Sequence, residues 1–133
     1  MRILAALLLA LALTGCGGKE ITAGDATVLV GERSSSGADA LGGGTLELVG
    51  GCLGASGVVV IWPVGTDVVD EDPLTIDIPD LGEFSIGDRV EVPGGMVVES
   101  SSKTVPPGPL SIAGVTVPEA CAEHDVFLAR RGG

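Results

Sequence analysis

The chain has 133 residues, enough for one small domain, and carries 18 acidic against 7 basic side chains for a formal net charge of −11. Such a surface repels nucleic acid, whose phosphates call for Lys and Arg, and gains nothing from anionic lipid. Aromatic residues make up 2% of the chain, which leaves few of the stacking platforms that oligonucleotide and sugar binders present.

Met1-Arg2 opens the chain, followed by an unbroken Leu/Ala/Ile run over Ile3 to Leu13. A basic start before 11 apolar residues has the proportions of a secretory signal peptide. It falls short of the roughly 20 residues that cross a bilayer. The run ends in Leu13-Thr14-Gly15-Cys16, which resembles the lipobox of bacterial lipoproteins: Leu, a small residue, Gly or Ala, then Cys. The resemblance implies that a signal peptidase cuts between Gly15 and Cys16 and that the Cys16 sulfur carries a diacylglyceryl group. It also implies acylation of the new amino terminus. A thiol between small neighbours is open to an acyl-transferring enzyme, and two or more chains anchor stably where one chain holds only reversibly. The partner so implied is membrane lipid, and the location is the extracytoplasmic side of the cell envelope.

Removing residues 1–15 takes Arg2 with it, leaving 118 residues and a net charge of −12. Residues 16–43 read as a lipidated terminus and flexible linker, built from "GGKEITAGDA" and "SSSGADALGGG". About 27 such residues reach roughly 30 Å. Ala26 to Val30 is an apolar run inside it, an edge strand at most.

Residues 44–129 read as the folded body, with 130–133 a tail. After the leader, Val and Ile together outnumber Leu by 23 to 9, and β-branched side chains favour strands. "TLELVGG" alternates, with Leu46 and Leu48 inward. Val58 to Trp62 does not alternate and predicts a strand covered on both faces. Leu74, Ile76 and Ile78 share one face opposite Thr75 and Asp77, and Pro79 to Gly82 forms a turn. Phe84, Ile86, Val90 and Val92 continue the inward set, and Pro93-Gly94-Gly95 ends that strand before Met96 to Glu99. Residues 100–109 are a loop, because its prolines exclude a central strand. Ile112 to Val117 and Asp125 to Ala129 supply two last strands, with one helical turn between them from Pro118.

Six to eight short strands predict an all-β single domain, a small OB-like barrel or a sandwich. "FSIGDRVEVPGG" resembles the strand-turn-strand of OB-like barrels. "GGCL", "VVVIWPVGT" and "IGDRVEVPGG", with a late cysteine, resemble small uncharacterised exported proteins of bacteria, a likeness that implies no particular activity.

Two cysteines remain beyond Cys16. In an exported chain the pair predicts a Cys52–Cys121 disulfide. Metal ligation by two cysteines is weak, since a closed zinc site wants four ligands, and His124 alone cannot complete the set. Asp67, Asp70, Glu71 and Asp72 place four carboxylates within six residues, the oxygen chemistry that Ca²⁺ takes. They lack the spacing and glycine of an EF-hand, so a solvated hairpin tip is the plainer reading and a weak Ca²⁺ site the other. Catalysis has little support: there is no Gly-x-Ser-x-Gly elbow for His124, and Cys121 is a nucleophile only when reduced. No cofactor is implied. The expected function is that of a membrane-anchored lipoprotein with a non-catalytic, structural or binding β domain. The alternative is a secreted ligand- or Ca²⁺-binding domain without lipid, and an enzyme comes third.

Overall fold

Short β-branched runs joined by two-residue turns dictate hairpins, and hairpins dominate the fold. The computed structural model describes residues 17–32, 40–99 and 108–131. Its strands are β1 (Lys19–Ala23), β2 (Ala26–Val30), β3 (Ala40–Val49), β4 (Cys52–Ala55), β5 (Val58–Trp62) and β6 (Asp67–Glu71). They continue with β7 (Leu74–Ile78), β8 (Gly82–Ser85), β9 (Arg89–Val98), β10 (Leu110–Ile112), β11 (Val115–Val117) and β12 (Val126–Ala129). One helical turn, α1 (Glu119–Ala122), precedes β12. Gly50-Gly51, Ser56-Gly57 and Ala113-Gly114 place both turn residues at positive φ, the primed geometry that matches strand twist in two-residue hairpins.

Five strands close a barrel. β3 pairs with β4, β4 with β5, β5 with β12, β12 with β9, and β9 returns to β3. Every pair is antiparallel except β5–β12, which gives the OB-like connectivity of a Greek-key barrel. β3 serves two neighbours: residues 40–45 pair with β9 and residues 46–49 with β4. At this corner Gly42 faces the Phe127 ring so closely that an added Cβ would lie 2.6 Å from it. The β4–β5 hairpin is paired near its turn and splayed at its far end, where β2 enters. Thr27 of β2 sits beside Cys52, while Leu29 and Val30 pair with Ile61 and Trp62. β1 then lines the outer edge of β2 over five residues.

This arrangement creates two cores. Inside the barrel lie Leu46, Leu53, Val60, Trp62, Val90, Val92 and Phe127, joined by Val28 and Val30 of β2. The separate sheet β6–β7–β8 lays Leu74, Ile76 and Ile78, with Val68 and Phe84, against the same cluster. On the other side of the barrel wall, Leu29, Val59, Ile61, Val98 and Val126 are covered by Val115, Val117 and Cys121 of the β10–β11–α1 segment. Alternate residues of β5 thus enter different cores, which explains why Val58 to Trp62 is an unbroken apolar run.

Several sequence expectations need correction. The described residues form twelve strands rather than six to eight, because the β1–β2 hairpin and two small sheets add to the barrel. Residues 19–32 are not a tether: β1 and β2 form a hairpin, and Val28, Leu29 and Val30 are core residues. β3 begins at Ala40, before the expected boundary at residue 44. Leu48 is 44% exposed, since it lies next to the turn where β3 leaves the barrel. Ile86 is 40% exposed because it occupies the tight turn in which Asp88 N–H donates to Ser85 O and Ser85 N–H to the Asp88 carboxylate. Pro93 to Gly95 lies within β9 instead of ending it. There β9 exchanges one neighbour for another: residues up to Gly94 pair with β3, and Gly94 onward with β12. Pro93 still contributes its carbonyl, which accepts the Arg130 N–H at 2.9 Å. Residues 112–117 form a hairpin with Leu110 and Ser111 rather than one strand. Residues 1–16, including the lipobox, and most of the expected loop at 100–109 lie outside the described residues.

Candidate functional site

The sequence places its chemistry at several points, and the fold keeps the disulfide and His124 at the β3–β4 turn while the acidic segment lies on β6. Cys52, the first residue of β4, is bonded to Cys121 of α1, with Cα atoms 6.0 Å apart. Both half-cystines are buried in the outer core. Cys121 is therefore tied up as a structural sulfur, and only a free thiolate is a nucleophile. His124 follows the helical turn, and its ring lies over the β3–β4 turn, 3.0 Å from where a Cβ on Gly50 would stand.

The acidic segment occupies β6 and the turn after it. The Asp67 carboxylate meets the Lys19 ammonium at 3.2 Å, both side chains more than half exposed. Asp70 accepts the backbone N–H of Asp72 at 3.2 Å, a local turn contact. Glu71 is exposed. Among the described residues no three His, Cys, Asp or Glu side chains converge as a metal site. Register reveals an acidic row that reading along the chain missed: Asp67 lies opposite Asp77, and Asp77 opposite Glu83. Directly opposed residues share a face, and like charges there are destabilising. The signal was available only as strand pairing.

Trp62 is fully buried, and its indole N–H donates to Leu53 O at 3.1 Å. This bond satisfies the one polar group of the side chain, so Trp62 is a core anchor and offers no platform. In OB-like barrels ligands lie on the second and third strands and on the loops after the first and fourth. Here those strands are β4 and β5. β2 occupies the gap between them, the β10–β11–α1 segment covers the outer side of β5, and the disulfide joins the start of β4 to the segment preceding β12. Among the described residues, β2 and the β10–β11–α1 segment cover this part of β4 and β5.

One geometric feature remains, at the start of the described chain. Gly18 is seated so tightly that a Cβ would lie 2.6 Å from Val30 O, 2.9 Å from the Val115 Cβ and 3.0 Å from Ala113 O. Gly17 lies next to it, within 3.9 Å of Gly114 O by the same measure. Gly15 and Cys16 themselves are outside the described residues. No family model, curated protein or solved structure matches the chain. Among the described residues no helix is long and apolar enough to cross a membrane.

Proposed function

We propose that the protein is an extracytoplasmic lipoprotein, held on a membrane by an acylated Cys16, whose barrel serves a structural or binding role without catalysis. The observation that carries this reading is Leu13-Thr14-Gly15-Cys16 placed directly after an apolar run of signal-peptide length. The Cys52–Cys121 disulfide supports export, because such bonds persist in oxidising compartments. The charge of the mature body, −12, supports lipid rather than electrostatic attachment, since anionic headgroups repel an acidic body. Of the candidate residues, Cys121 is bonded to Cys52 and Asp67 is paired with Lys19, which supports a structural reading for those two.

Detergent phase partitioning of the native protein tests the anchor. The wild type is expected in the detergent-rich phase and a Cys16→Ala variant in neither that phase nor the membrane pellet as a mature species. Wild-type protein wholly in the aqueous phase would defeat the proposal.

A further inference from the structure

Resting on that lipid anchor, we propose that the barrel sits directly on the bilayer surface, with the β10–β11 hairpin turned toward the lipid headgroups. Two independent observations point to this. The first is reach. Two residues after the lipidated position, Gly18 is locked between β2 and the Ala113–Gly114 turn, and β1 is fully paired from Lys19. A cysteine with its diacylglyceryl group bonded to Gly17 leaves no chain with which to lift the body. Acyl chains buried in one leaflet therefore bring the neighbouring turn to the headgroup layer.

The second is composition. In a chain with 18 acidic residues, the eleven positions from Gly108 to Pro118 carry no charged side chain. Leu110, Ile112 and Ala113 of this segment are half-buried and present part of their apolar surface. The hairpin itself brings no charged side chain to the headgroup layer, so its own contact adds no charge desolvation. The Glu32 carboxylate reaches over Gly114 (2.8 Å from a Cβ built there), which favours zwitterionic headgroups, with their ammonium groups, over anionic ones. Glu32 is exposed in the free body, so on docking its charge meets headgroup ammonium groups and interfacial water rather than acyl chains.

The opposite pole of the body is equally defined. Thr45 is exposed and its backbone N–H donates to Ser56 Oγ at the β4–β5 turn, while Lys19, two residues after Gly17, pairs with Val30, which pairs with Trp62 at the other end of β5. Five residues of strand separate these poles by roughly 17 Å.

Fluorophores on Thr116→Cys and on Thr45→Cys, in the full acylated protein on phosphatidylcholine vesicles, report the orientation. The thioether at Cys16 and the Cys52–Cys121 disulfide leave the new thiol as the labelling site. With nitroxide-headgroup lipid as quencher, the Thr116 label is expected to be quenched more than about twofold over the Thr45 label, given the strand length between them. Inserting twelve Gly/Ser residues between Gly17 and Gly18 adds a reach of about 19 Å and is expected to remove the difference while vesicle binding persists. Equal quenching at the two sites in vesicle-bound, acylated protein would overturn the docked orientation alone. Protein lacking acylation by mass and failing to bind vesicles would overturn the anchor and the orientation with it.

Discussion

Replacing both cysteines with alanine, Cys52→Ala with Cys121→Ala, tests the physical account of the body most severely. The bond closes a stretch of 69 residues, and the chain-entropy model assigns about 4 kcal/mol to a loop of that length. Small domains are stable by only about 5–15 kcal/mol, so the loss is large. At about 4–8 °C per kcal/mol for a domain near this size, Tm is expected to fall by roughly 15–30 °C. The effect is also localised. Cys121 sits in the outer core, where β10–β11–α1 covers Val59, Ile61 and Val126, so this segment is expected to lose amide protection before the barrel does. Trp62, the single tryptophan and fully buried, supplies the readout: its emission follows barrel unfolding in urea, while hydrogen exchange follows the covering segment. Either single substitution is expected to destabilise about as much as the pair, because each removes the same cross-link. A double variant within about 1 kcal/mol of wild type, too small for a closed loop of this length, would refute the reasoning.

Other perturbations probe separate contacts. Gly42→Ala puts a methyl 2.6 Å from the Phe127 ring and is expected to destabilise by about 1–3 kcal/mol through overpacking, read by urea denaturation. Trp62→Phe strands the Leu53 carbonyl, whose donor it loses. The cost is about 1–3 kcal/mol for an unsatisfied buried acceptor, and Tm is the measure. Asp77→Thr removes the middle carboxylate of the row between Asp67 and Glu83 and is expected to stabilise by about 0.2–1 kcal/mol. That gain should shrink in high salt, since screening weakens exposed charge repulsion. Titrating Ca²⁺ is expected to leave Tm unchanged, because a bound ligand would raise it by mass action and the four acidic residues of 67–72 do not converge.

How much of this was legible depends on the scale of the signal. Two-residue apolar alternation located Leu74, Ile76 and Ile78, and the non-alternating Val58 to Trp62 announced a strand buried on both sides. The hairpin β1–β2 was missed because Gly, Ala and Thr around it lower its hydrophobicity. Yet Gly24-Asp25 between two short runs is itself a two-residue hairpin signal. Leu48 and Ile86 carry the right residue type at the right period. Leu48 lies beside the turn at the end of β3 and Ile86 in the turn after β8, and period alone says nothing of where a strand ends. Pro93 reads as a terminator because proline lacks an N–H, but its carbonyl still pairs, with the Arg130 N–H, where β9 exchanges β3 for β12. The acidic row and the seat of Gly18 are long-range products of topology. No window of sequence contains Asp67, Asp77 and Glu83 as neighbours, or Gly18 beside Val115.

Intact mass spectrometry of the membrane-extracted protein bears most directly on the whole. A mature chain that starts at Cys16 and weighs more than its amino acids by a diacylglyceryl group, with or without a further N-terminal acyl chain, is the expected result. A chain starting elsewhere, or one whose Cys16 carries a free thiol, would contradict the account.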